Sequence, residues 1–176
     1  MSDVKIIEDD QAVTEVRKAA RQFAMLYFNF CKVLVEELGL ELAKKIVNKS
    51  VFGLAIDRTN QLRQVVQAQG EETNLENFNK FSDLGKSGWV KELGRDHCPY
   101  AQTWVTYYEK YPWFRELAPF YCDIIDTTNI ENFTKTLSHK LTKNVLWGDE
   151  TCEREYFLSE DVKQGKFTYD PDNNTK

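Results

Sequence analysis

Apolar residues recur at Val13, Val16, Ala20, Phe23, Tyr27, Phe30 and Leu34, the spacing of one helical face. From Phe23 to Val35 the other faces are largely apolar as well, which predicts a central, buried helix. Gly39 is placed to end it. A second stripe, Ala43, Val47, Val51, Leu54, Leu62 and Val65, predicts a helix from Leu40 to about Gln69. Gly53 inside it suggests a kink or a close approach. Arg58 falls between Leu54 and Leu62, where an apolar residue is expected. "GEETN" at 70–74 reads as a loop, and the weakly periodic stretch to Gly94 reads as a short helix or an irregular lid.

Pro99 suits the first turn of a further helix over "YAQTWVTYYEKY", which Pro112 stops. "WFRELAPFYCDIIDTTN" reads as a short helix followed by a loop or a strand. The last third alternates differently. "FTKTLSHKLTKNVLW" is rich in Thr and Val, and Cys152, Arg154, Tyr156 and Leu158 alternate along "CEREYFL". With "GDE" between them they predict an antiparallel hairpin, although Phe133, Leu137, Leu141 and Val145 also fit a helix. Helices first and strands last predict an α+β fold, an N-terminal helical bundle packed with a small C-terminal antiparallel sheet. Residues 10–160 are expected to form a single catalytic-type domain between a flexible leader, 1–9, and a polar tail, 161–176.

The chain's 176 residues can bury a sizeable core, and its 13% aromatic content points to dense packing or a lined pocket. A net charge of −5 without a long basic run argues against nucleic-acid or anionic-membrane partners. The most apolar stretch, "FAMLYFNFCKVLVEELGL", is interrupted by Asn29, Lys32, Glu36 and Glu37 and is too polar to span a bilayer. The start shows no signal-peptide pattern, so a cytoplasmic protein is expected, with Cys31, Cys98, Cys122 and Cys152 as thiols.

Cys98 is the leading candidate for chemistry. It precedes a helix-opening proline, where the helix dipole would lower the thiol pKa. Its base would be the adjacent His97 or, brought close by folding, His139. Cys122 lies beside Asp123 and Asp126, and Cys152 follows "GDET". Three cysteines near carboxylates fit a nucleophile with acid and base groups, a soft metal set, or three separate packing positions. Cys31, inside an apolar helix, reads as core. Arg58 could clamp a substrate carboxylate or pair with a structural acid. Asp149 is a substrate contact or simply a turn residue. Tyr100 opens the aromatic stretch and is a candidate substrate contact. The nucleotide, zincin and esterase motifs GxGxxG, Walker A, HExxH and GxSxG are absent.

Taken together, "HCPY", "FYCDIIDTTNIENF" and "LTKNVLWGDETCEREY" resemble the L-2-amino-thiazoline-4-carboxylic acid hydrolase family. Gly148, Asp149, Cys152 and Glu153 match a Gly-Asp-x-x-Cys-acid element. Cys122 matches a Cys-x-x-Asp element, but Asp126 stands one residue too far, so the acid is Asp123 or Asp126. The resemblance spans about residues 90–158. It implies that Cys98, Cys122 and Cys152 share one site, which opens the C–N bond of a small cyclic amidine, an amino-acid derivative. Cys98 or Cys122 would attack, or a bound metal would activate water. Asp126 or Asp149, with His97 or His139, would move protons, and Arg58 would hold a carboxylate. The competing reading is a metal- or small-ligand-binding protein with Cys98, Cys122 and Cys152 as ligands. No cofactor other than such a metal ion is implied.

Overall fold

The computed structural model describes residues 9–83 and 86–158. Apart from residue 9, the expected leader and tail lie outside these. Five helices, α1 (Asp9–Leu38), α2 (Leu40–Ala68), α3 (Leu75–Lys80), α4 (Pro99–Trp104) and α5 (Phe114–Thr134), precede two strands, β1 (Leu137–Lys143) and β2 (Glu153–Leu158). Short 3₁₀ turns fill Lys86–Gly88, Lys91–His97, Val105–Tyr107 and Val145–Trp147. The strands pair antiparallel, with His139 opposite Tyr156 and Leu141 opposite Arg154. This is the α+β arrangement expected from the order of patterns. None of the described helices is long and apolar enough to cross a membrane.

Gly39 separates α1 from α2 with a φ of 77°, a left-handed conformation that favours glycine. Gly53 stays within α2 and has open space around it, so no close approach depends on it. The expected stripe of α2 is displaced. Leu54 and Val65 are exposed, and the buried line runs through Ala43, Val47, Val51, Ala55, Thr59, Leu62 and Val66. Ala55 and Thr59 are small enough to let α5 lie close, an advantage that hydrophobicity alone does not reveal. Thr59 Oγ1 bonds Asn129 Oδ1 at 2.9 Å, and Arg63 donates to the Asn132 carbonyl at 2.6 Å. The α2–α5 contact is therefore partly a polar seam.

The central helix is α5, not α1. Helix α1 buries Ala20, Ala24, Phe28 and Cys31 but leaves Leu26, Phe30 and Val33 exposed. Helix α5 packs against α1, α2, α3 and β1, and residues all round it are buried. It runs unbroken through Pro119 and through "DIIDTTNIENF", where β-branched residues suggest a strand. Burial on several sides overrides that local preference. The helix expected over 100–111 is also shorter, passing into a 3₁₀ turn at Val105.

Residues 81–83 and 86–98 form only bends and short 3₁₀ turns, yet they are fastened at several points. The Arg17 guanidinium donates to the carbonyls of Gly88 (2.7 Å), Asp96 (2.8 Å) and His97 (3.2 Å) and to Gln102 Oε1 (2.9 Å). Trp104, fully buried, donates its indole N–H to the Ala24 carbonyl at 2.9 Å and ties α4 to α1. Gly88 lies so close to α1 that a Cβ there would stand 2.5 Å from Val16 Cγ1. Gly88→Ala is therefore expected to lower stability by about 1–3 kcal/mol in urea unfolding. Val16→Ala in the same chain should recover most of the loss.

Candidate active site

One cavity of about 970 Å³ opens between α5, residues 82–83 and 86–98, and the β hairpin. Its walls include Arg58, His97, Cys98, Tyr100, Cys122, Asp126, His139 and Cys152. Asp123 and Asp149 are not among the described residues that line it. Helix α5 presents Cys122, Asp126 and Asn129, spaced by four and three residues, along one cavity wall.

Cys98 caps α4, its sulfur accepting the Ala101 N–H at 3.5 Å. The helix has only six residues, and the thiol is buried. Burial pushes its pKa up, against the opposing pull of the Ala101 and Tyr100 N–H groups and a hydrogen bond from Trp89. The dipole-lowered thiol expected from Pro99 is thus not realised, because desolvation outweighs a short helix end. His97 turns its Nδ1 to the Gly94 carbonyl at 2.9 Å. Burial also raises Cys122 well above the ordinary thiol value, with the Asp126 charge adding to it. Cys152 is raised by burial and partly relieved by the Val145 N–H and Arg154. Cys98 feels the charge of Cys152, and Cys122 that of both Cys98 and Cys152, so the three share one electrostatic neighbourhood. Among the described residues no three His, Cys, Asp or Glu side chains form a group able to hold a metal ion. The three cysteines therefore share a cavity without making a ligand set. Cys31 lies apart in the core, its thiol raised to about 12 by burial.

Asp126 is held by Arg154, whose Nε and Nη2 reach Oδ2 at 3.1 and 2.5 Å. His139 Nε2 stands 3.9 Å from the same oxygen. Burial alone would raise this carboxyl, but its His139 and Arg154 partners hold it below the usual range. Asp123 goes the other way, to about 6, because it is desolvated and faces the Asp126 charge. His139 is buried and bonds Thr127 Oγ1 through Nδ1 at 3.1 Å, while its Nε2 makes no hydrogen bond among the described residues. Arg58 grips Asp83 with two bonds of 2.8 and 2.7 Å, and the Tyr121 hydroxyl bonds that of Tyr100 nearby.

The hairpin connection explains the Gly-Asp-x-x-Cys element. Asn144 caps the 3₁₀ turn, its Oδ1 accepting the Leu146 N–H at 2.9 Å. Asp149 Oδ2 accepts the Asn144 backbone N–H at 2.9 Å, so Asp149 shapes the loop. Gly148 adopts a φ of 107°, which favours glycine. The Cys152 thiol then reaches Asn144 Oδ1 at 3.8 Å. The Asn144 Nδ2 has no partner among the described residues although the side chain is buried. A buried donor left unpaired costs about 1–3 kcal/mol. Asn144, Arg154, Asp83 and Arg17 were not singled out as site residues from the sequence. Only Asn144 carried a local signal, an Asn three residues ahead of a tryptophan and a Gly-Asp turn, as an N-cap would be.

Residues 19–156 match the family of L-2-amino-thiazoline-4-carboxylic acid hydrolases. The chain belongs to this family. The match extends from α1 to β2 and so takes in every cavity wall. No curated protein and no solved structure matches the chain.

The raised Asp123 carboxyl makes stability depend on pH. Its folded value of about 6 exceeds the ordinary 3.8, so its ionisation costs stability as pH rises between the two. Asp123→Asn is expected to stabilise the protein at pH 7.5 by roughly 2–3 kcal/mol at most. The gain should vanish by about pH 3, where the side chain is protonated in the folded and unfolded states alike. Denaturant titrations across that range measure it.

Proposed function

We propose that the chain hydrolyses a 2-aminothiazoline-carboxylate-type ring, opening its amidine C–N bond from a cysteine-centred site. The observation that carries this reading is the convergence of Cys98, Cys122 and Cys152 with Asp126, Arg154 and His139 on one cavity in a chain of this family.

Cys98 is the nucleophile. Its sulfur is the one surrounded by N–H donors from Ala101, Tyr100 and Trp89, which would hold a thiolate once formed. Because burial keeps the resting thiol protonated, attack requires a base. His139 Nε2, unpaired in the same cavity, is the group for that proton. The Asp126 carboxylate beside it stabilises the imidazolium that results. The thiolate adds to the amidine carbon, the ring C–N bond breaks, and His139 returns the proton to the departing nitrogen. Water then adds to the same carbon and expels the Cys98 sulfur, leaving a carbamoyl thioester of cysteine.

Arg58 meets a substrate carboxylate only in competition with Asp83. Lys86, Lys91 and Arg95 also line the cavity and are further cations to receive that group. Tyr100 and Tyr121 supply an apolar wall near Arg58.

Incubation with L-2-amino-thiazoline-4-carboxylate, followed by mass spectrometry of the carbamoyl product, tests the reading. Wild-type protein should consume the substrate. Cys98→Ser should lose about 10³-fold or more in kcat with its melting temperature retained. Cys152→Ser should be slowed less. A wild-type chain that leaves the ring intact overturns the function, and a Cys98→Ser chain within tenfold of wild type overturns the choice of nucleophile.

A further inference from the structure

Two residues of the cavity wall each carry a buried, unpaired polar atom, and the two differ in what they can offer. His139 Nε2 can exchange a proton. Asn144 Nδ2 can only donate hydrogen bonds. The orientation of this amide is set by its surroundings. The Leu146 N–H points at one amide atom from 2.9 Å, and the Cys152 thiol approaches the same atom at 3.8 Å. A donor must meet oxygen, so the NH₂ group faces the other way. The side chain is 1% exposed, and the residue belongs to the cavity wall. Its backbone is pinned as well, through Asp149 Oδ2 and through the Trp147 N–H, which donates to the Asn144 carbonyl at 2.8 Å. The result is a rigid donor with no acceptor among the described residues, beside the Cys152 thiol on the cavity wall.

We infer that Asn144 is a catalytic residue whose Nδ2 donates to the oxygen that water delivers to the reacting carbon. This assignment rests on the ring-opening reading. In that step the water oxygen bonds the carbon of the Cys98 adduct, and its proton passes to His139. Negative charge gathers on the oxygen, where a preorganised donor stabilises it. The carbon–sulfur bond then breaks, the carbonyl forms, and the proton returns to the Cys98 sulfur. No oxidant or reductant is involved. The Gly-Asp-x-x-Cys element thereby gains a purpose beyond carrying Cys152, since it builds the loop that aims this amide.

Two substitutions remove the donor while keeping an oxygen to cap Leu146: Asn144→Asp and Asn144→Ser. Each should lower kcat about 100-fold with KM within threefold. Each should also accumulate the Cys98 adduct, visible as added mass on the intact chain, because the hydrolytic step is the one slowed. A structural role would move KM and melting temperature and would leave no adduct. On the wild-type protein, saturating carbamoyl product should shift the ¹⁵N and ¹H resonances of the Asn144 side-chain amide. This readout does not depend on either variant folding. A folded variant with kcat within threefold of wild type, or an amide resonance unmoved by product, overturns the assignment and leaves ring opening standing. A wild-type chain without turnover overturns both.

Discussion

The cavity depends on two guanidinium groups that fasten a stretch of chain whose described residues form only bends and short 3₁₀ turns. Arg17 on α1 collects three backbone carbonyls and a side-chain oxygen from residues 88–102, and Arg58 on α2 closes on Asp83. Carbonyls outside helices and strands need donors, and one planar guanidinium supplies several at once. These bonds hold residues 81–83 and 86–98 across the helices as a wall. They also set where α4 begins and hence where Cys98 sits. Charged residues that composition would assign to a solvated surface are here the fasteners of the site.

Helix α5 provides the opposite wall, and its burial sets the electrostatics. The same environment drives two neighbouring carboxyls apart, Asp126 below the usual range through Arg154 and His139 and Asp123 up to about 6. It raises the thiols of Cys98, Cys122 and Cys152 together. Such surroundings keep all three thiols protonated at rest. The helix end at Pro99 is too short to offset that burial, and the buried histidine of the cavity wall, His139, comes from a strand rather than from the chain beside Cys98.

The hairpin loop shows how a short motif divides its labour. Gly148 permits the turn, Asp149 holds the Asn144 backbone, and Asn144 in turn receives Leu146 and Cys152. Asp149 reads as a substrate contact or a turn residue from the sequence, and its bond to Asn144 accounts for it as loop architecture. Asn144, which the motif does not include, ends up with the only free amide of the loop among the described residues.

The sequence alone was enough for the order of helices and strands, the break at Gly39, the capping position of Cys98 and the hairpin, because these follow from local periodicity and turn chemistry. It was also enough for the family, carried by short motifs around Cys98, Cys122 and Cys152. Tertiary structure decided which face of α2 is buried, because Ala55 and Thr59 matter by size against α5 rather than by hydrophobicity. It decided that "DIIDTTNIENF" continues a helix, because contacts on several sides outweigh β-branched preference. It decided the partners of Arg17, Arg58 and Arg154, since hydrogen bonds and ion pairs across 25 to 85 residues leave no periodic trace. It decided the thiol pKa values too, because desolvation is a property of the folded surroundings and not of the residues adjacent in the chain.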